Sequence, residues 1–198
     1  MISLKNFCSI FFFMAFTWDC NAALFLEPWL GFSTGTGKAT TTPSSTQTGF
    51  TSSSSGTEAG VRLGAKAGWL WLAIDPNYFS GSTQINYSNS TSSQNLNTTQ
   101  SSIYGLMGLD LPARLRVYAG GSLISELKTQ NVSMQTYNLN GYKLGLGLRL
   151  THHLSTLVEY RTEKVTKAED SSTGSIDVAA NYTVNERARG SLAFAYQF

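Results

Sequence analysis

Cysteine is nearly missing from this chain: Cys8 and Cys20 are the two in 198 residues. Both fall in an N-terminal segment that reads as a removable leader, so the mature chain holds no thiol. That excludes a disulfide-stapled domain and a cysteine-ligated metal centre. Charge is scarce as well, at 13% of residues, against about 25% in soluble domains. The balance is only +2, which argues against nucleic acid as a partner. Beyond the leader no apolar run reaches the ~18 residues of a membrane-spanning helix. The sequence therefore needs a fold that is poor in charge without a hydrophobic helix.

The leader is MISLKNFCSIFFFMAFTWDCNAA. Lys5 precedes an apolar run from Phe7 to Trp18, and small residues follow at Ala22 and Ala23. Charge, length and cleavage chemistry are those of a secretory signal peptide. Cleavage after Ala22 puts Cys20 and Ala22 at the small-residue positions and is preferred over cleavage after Ala23. Thr17-Trp18-Asp19 before Cys20 disfavours lipidation of that cysteine. The expected organisation is a cleaved signal peptide over 1–22 and one domain over 23–198.

What the mature chain does have is alternation. Period-two patterning, the mark of a strand with two unlike faces, recurs in eight segments. They are LFLEPWLGF, GVRLGAKAG, WLWLAID, SSIYGLMGLD, LRVYAGGSL, GYKLGLGLRL, STLVEYRTEK and RGSLAFAYQF. In the sixth, Tyr142, Leu144, Leu146, Leu148 and Leu150 oppose Lys143, Gly145, Gly147 and Arg149. Each segment is near the ~9–11 residues that a tilted membrane strand requires. A soluble β-sandwich or lipocalin would carry polar residues on its strand exteriors, which the outward leucines contradict.

The connections alternate too. Short turns are expected at Ala67–Trp69, Asp110–Arg114 and Thr151–Ser155. The intervening connections are long and polar, as in TGTGKATTTPSSTQTGFTSSSSG and SGSTQINYSNSTSSQNLNTTQ, and read as structureless loops. Short turns at one rim and long loops at the other describe a transmembrane β-barrel. The fold class is thus all-β: a closed antiparallel up-and-down barrel of eight strands, with ten as the alternative. A strand-like segment, SIDVAANYTV, precedes the last strand. It either extends the fourth long loop as a ribbon or, with TQINYSN as partner, brings the count to ten.

The parity opposite the leucines carries Glu27, Asp75 and Glu159 with Arg62, Lys66, Arg116, Lys143, Arg149 and Arg161. An eight-stranded barrel is just wide enough for side chains, so these charges read as a paired ionic plug beside small residues. No catalytic, cofactor or metal site is expected. TGTGKAT lacks the first glycine and the hydroxyl of a phosphate-binding loop and reads as flexible loop. His152 and His153, the only histidines, point to opposite faces on extended backbone and cannot by themselves make a metal site or a Ser–His–acid triad. Asn86, Asn89, Asn97, Asn131 and Asn181 head N-x-[ST] triplets that are compositional.

The final stretch, RGSLAFAYQF, alternates Leu192, Phe194, Tyr196 and Phe198 with small residues. It resembles the C-terminal signal of bacterial outer-membrane barrels, and LEPWLGFSTG and GYKLGLGLRLTHHLSTLVEYR are similar to strands of small OmpA- and OmpX-like barrels. The departures are VNERAR and SIDVAANYTV. The resemblance implies an outer-membrane location, lipid as surroundings, and recognition of Tyr196 and Phe198 by the barrel-assembly machinery. The function expected is structural or surface-interacting and not enzymatic, with a monomeric barrel, a largely plugged lumen and outer loops open to surface ligands. A small porin-like passage for polar solutes is the alternative, and a lipid-modifying enzyme is the remaining class.

Overall fold

The computed structural model describes residues 22–41, 49–88, 93–130, 134–170, 174–177 and 182–198. The leader, and with it most of the 1–22 signal segment, lies outside the described residues, as do Asn89, Asn131 and Asn181. Nine strands follow one another: β1 Ala23–Thr41, β2 Gly49–Ala67, β3 Leu70–Tyr87, β4 Ser93–Asp110, β5 Leu115–Gln130, β6 Met134–Arg149, β7 Leu154–Asp170, β8 Gly174–Asp177 and β9 Tyr182–Tyr196.

Eight of them close into a ring. Each of β1 to β7 pairs antiparallel with its successor, β7 also pairs with β9, and β9 pairs with β1 from Trp29↔Ala195 to Thr41↔Tyr182. Closure leaves the ring without an edge strand, as strands in hydrocarbon require. The four residues of β8 pair only with the outer end of β7, from Lys167↔Asp177 to Asp170↔Gly174. The SIDVAANYTV segment is therefore in part a short ribbon and in part the start of β9. Residues 83–87 of TQINYSN belong to β3, and the ring closes with eight strands, so the ten-stranded alternative does not form.

Alternation fixes the two faces, because successive side chains leave a strand on opposite sides. Leu30, Phe32, Leu72, Met107, Leu146 and Phe194 point outward and are exposed. Together with their neighbours they make an apolar belt. From Leu24 to Phe32 the belt covers roughly 26 Å along β1 at ~3.3 Å per residue. At a tilt of ~40° that is about 20 Å of height, close to the ~25 Å band of a membrane barrel.

The polar connections are a correction. The Ser/Thr-rich stretches read as structureless loops are strand: TGTGKAT lies in β1, TSSSSG in β2, SGSTQIN in β3 and SQNLNTTQ in β4. The barrel strands run 15–19 residues, well beyond the belt, and the β5–β6 connection shrinks to 131–133. The reason is physical. Outside hydrocarbon a strand gains nothing from an apolar face, so hydropathy alternation disappears while the backbone ladder continues. β1 extends nine residues past Phe32, which at ~3.3 Å each carries the barrel wall roughly 30 Å further along the strand.

The other rim is tight. Gly68 adopts a positive φ of 61° between β2 and β3, and Ala113 and Arg114 do so between β4 and β5. Leu150 to His153 connect β6 to β7, closed by Leu150 N–H and Thr151 N–H donating to Leu154 O.

The charged lumen as candidate functional site

The inward parity builds three tiers of polar contacts. At the short-turn mouth one carboxylate serves three cations: Asp110 accepts from Lys66 Nζ (2.5 Å), Arg116 Nε (2.8 Å) and Arg149 Nη2 (2.8 Å). Arg116 also reaches Glu27 on β1 and lies over the Trp71 ring at 5.2 Å. Lys66 and Arg149 keep part of their side chains in solvent; Arg116 does not.

Arg62 is the hub of the middle tier. Its guanidinium donates to Glu27 at 2.8 Å, to Glu159 on β7 and to the Tyr118 hydroxyl at 3.0 Å. Tyr118 in turn donates to Glu159 at 2.6 Å. Lys143 pairs with Asp75 (2.5 Å) and Glu159 (3.4 Å), and the Trp29 indole donates to Asp75 at 2.8 Å. Aromatic faces of Trp29, Tyr104 and Tyr118 stack on these cations, a contact that strengthens when desolvated.

In the outer tier Arg161 bridges Glu58 (2.7 Å) and Glu159 (3.1 Å). Arg189 lies 3.2 Å from Glu58 and donates to Gln100 Oε1 at 2.9 Å. Gln100 Nε2 and Tyr104 donate to Glu163 at 2.7 and 2.6 Å. All nine charges expected in the lumen point into it. The reading by parity missed Asp110, Glu163 and Arg189, which share the inward parity inside segments already recognised as strand, and Glu58 and Arg187, which lie just beyond GVRLGAKAG and RGSLAFAYQF. Continuing the same parity outward along β2 and β9 finds the last two.

Aromatic rings fill the space between the short-turn mouth and the hub. Phe25 meets Trp71 edge-on at 5.9 Å, and Trp71 lies 5.5 Å from Tyr118. Glycines admit them. A Cβ on Gly108 would stand 2.3 Å from the Trp71 ring, and one on Gly145 would stand 2.0 Å from Tyr118. The small inward residues therefore make room for rings as well as for long polar side chains.

Chemically the site offers little free reactivity. Among the described residues each of the six lumen carboxylates sits within ion-pair distance of a cation. No group of three His, Cys, Asp or Glu side chains converges among the described residues. His152 and His153 are exposed at the short-turn rim, where His153 Nδ1 lies 2.9 Å from Gln197 O and its ring stacks on Tyr196. Tyr196 packs against Phe198 at 4.8 Å, and Phe198 N–H donates to Leu26 O at 3.0 Å.

No family model matches the sequence, and no curated protein matches it. Solved structures do. The barrel is similar to Neisserial surface protein A, at 15% identity and a TM-score of 0.50, covering 89% of this chain and 97% of that one. It is similar to the outer membrane protein OprG from Pseudomonas aeruginosa, at 11% identity and a TM-score of 0.55, with the same coverage. At these identities the likeness is one of fold. The chain has the fold of the small bacterial outer-membrane β-barrels that its strands and ending resemble, and its apolar belt is the lipid-facing band of such a barrel.

Proposed function

We propose that the protein is a structural or surface-interacting outer-membrane barrel with a closed lumen, presenting its polar strand extensions outside the cell. One observation carries this reading. The Arg62 network, with the Phe25–Trp71–Tyr118 aromatics beside it, crosses the lumen from β1 to β7 with its main members fully buried. Such a network stays together because stripping one partner leaves an unpaired buried charge. The same pairing supports a non-enzymatic role, since every lumen carboxylate is already engaged. The reading includes a signal peptide over 1–22, a monomer surrounded by lipid, and recognition of Tyr196 and Phe198 by the assembly machinery.

A passage for polar solutes is the second reading, favoured by the surplus of cations among the described residues: eight inward Lys and Arg against six carboxylates. Planar-bilayer recording separates the two. A plugged barrel gives no steady conductance, and the Arg62→Ala variant opens brief, small events. A stable wild-type channel with anion selectivity would replace the first reading with the second.

A further inference from the structure

Beyond the lipid belt the outer wall of the barrel is not the same all the way round. On β2, β3 and β4 the outward positions form four registered rows, from Thr57↔Ser80↔Thr99 at the foot to Thr51↔Asn86↔Ser93 at the top. All twelve are Ser, Thr, Asn or Gln; eleven are exposed and Thr99 is half-exposed. At the ~25–35% charge of an ordinary surface, a patch of this size would hold roughly three or four charged residues. It holds none. Charge returns at once on both flanking strands, with Lys38 opposite Thr51 on β1 and Lys128 opposite Thr99 on β5. Lys128 there pairs with Glu126, and Lys164 on β7 pairs with Glu186 on β9.

The groups on this face are rigidly placed. Inward neighbours on the same strands bond to one another, as Thr98 Oγ1 does to Thr83 Oγ1 at 2.9 Å, whereas the outward twelve have no side-chain partner among the described residues. The ladder spaces them about 4.8 Å apart between strands and ~6.6 Å apart along a strand. Holding chain as strand outside lipid costs conformational entropy, and a face fixed in advance lowers the ordering cost of binding a ligand. Hydroxyl and amide side chains both donate and accept, so the matching ligand does both and carries no charge. Sugar hydroxyls have that chemistry. At the foot of the centre strand Tyr78, two residues before Ser80 on the same face, is 50% exposed. It stands between Ala59 and Ser101, both too small to cover its ring, and an aromatic face suits the C–H side of a sugar while the phenol stays wet. Size disfavours a protein partner. Three strands by seven residues make roughly 300 Å², against about 800 Å² per partner in a stable protein interface.

We propose that the outer face of β2–β4 above the belt binds an uncharged glycan from the aqueous side, with its hydroxyls on the polar rows and one sugar ring on Tyr78. The top row lies six residues beyond the foot, roughly 15 Å higher at a ~40° tilt, so most of the face is reached from water. Such binding rests on the surface-interacting reading and gives its partner a chemistry: bilayer recording tests that reading, and glycan binding tests this face alone.

The test uses the full barrel refolded in a zwitterionic detergent without a sugar headgroup. Fluorescence anisotropy follows end-labelled short dextran and mannan fragments, with sulfated dextran of the same length as competitor. The same sugars carried on a lipid in phosphatidylcholine vesicles make a further arm. At least one free neutral fragment should bind saturably, and sulfated dextran should displace it at least about tenfold less well than the unlabelled neutral fragment. The combined variant Ser55→Ala, Ser82→Ala, Asn97→Ala strips one whole row. It should lose about tenfold or more in affinity, the scale of several lost hydrogen bonds, and keep the heat-modifiable gel mobility of a folded barrel. Ser82→Thr, which keeps a hydroxyl, and Lys164→Gln on the opposite wall should bind as wild type does. Absence of saturable binding by any neutral fragment, equal binding by the combined variant, or better displacement by sulfated dextran would each overturn the proposal. So would binding only to lipid-carried sugars, or a barrel dimer in light scattering that the combined variant dissolves.

Discussion

Arg62 on β2 and Glu159 on β7 meet across the closed barrel, 97 residues apart in sequence and with neither side chain reaching solvent. No strand joins them directly, so the pair exists only because the ring closes. Replacing Glu159 with Gln leaves Arg62, Lys143 and Arg161 facing a neutral amide. The expected loss is about 3–5 kcal/mol, the scale for breaking one side of a buried pair. Replacing both Arg62 and Glu159 with Met should cost less than the sum of the two single changes by about 1 kcal/mol or more. Urea unfolding in lipid vesicles measures all four proteins, and strict additivity would mean that the two charges are not coupled.

Gly145 and Gly105 make a contrasting pair. A side chain at Gly145 meets the Tyr118 ring at 2.0 Å, whereas one at Gly105 finds only Leu123 at 3.8 Å. Tyr118 is tied to Arg62 and Glu159 and cannot step aside. Gly145→Val should therefore destabilise the barrel by roughly 3 kcal/mol or block folding, the upper range for overpacking. Gly105→Ala should stay within about 0.5 kcal/mol of wild type. Heat-modifiable mobility and unfolding midpoints distinguish the outcomes, and similar behaviour of the two variants would contradict the packing described.

The Ser/Thr-rich segments offer a direct check on their being strand. Residues 51–57 and 80–86 are paired with one another from Thr51↔Asn86 to Thr57↔Ser80. Hydrogen exchange followed by mass spectrometry should show them protected for minutes or longer, as ladder amides are, whereas loop amides open at little cost. Exchange complete within seconds would return these stretches to loops.

Phe198 should matter more for assembly than for the finished barrel. Its side chain is 71% exposed, so burial contributes at most about 1 kcal/mol. Changing it to Ser should lower outer-membrane levels in cells several-fold while leaving refolding in detergent and the unfolding midpoint nearly unchanged. Normal levels in cells would reduce the ring to one more lipid-facing side chain.

Much of this barrel is legible in the amino-acid sequence. Period-two alternation follows from the pleat alone, so Leu144, Leu146 and Leu148 had to leave one face and Lys143 and Gly145 the other, whatever lay beside them. Scarcity of charge, the absence of a spanning helix and the short turns then left a closed membrane sheet. The parity of Glu27, Arg62, Lys143, Glu159 and Arg161 set them on the inner face for the same local reason. The outer halves of the strands could not be read so. Hydropathy alternates only where lipid demands it, and Thr34 to Thr41 keep their ladder in water with no apolar face to announce it. Which inward charges meet was equally hidden. Arg62 reaches Glu27 on the adjacent strand and Glu159 across the lumen because register and closure bring those rungs to one height. Alternation is a property of each strand by itself, while pairing across the lumen belongs to the closed ring.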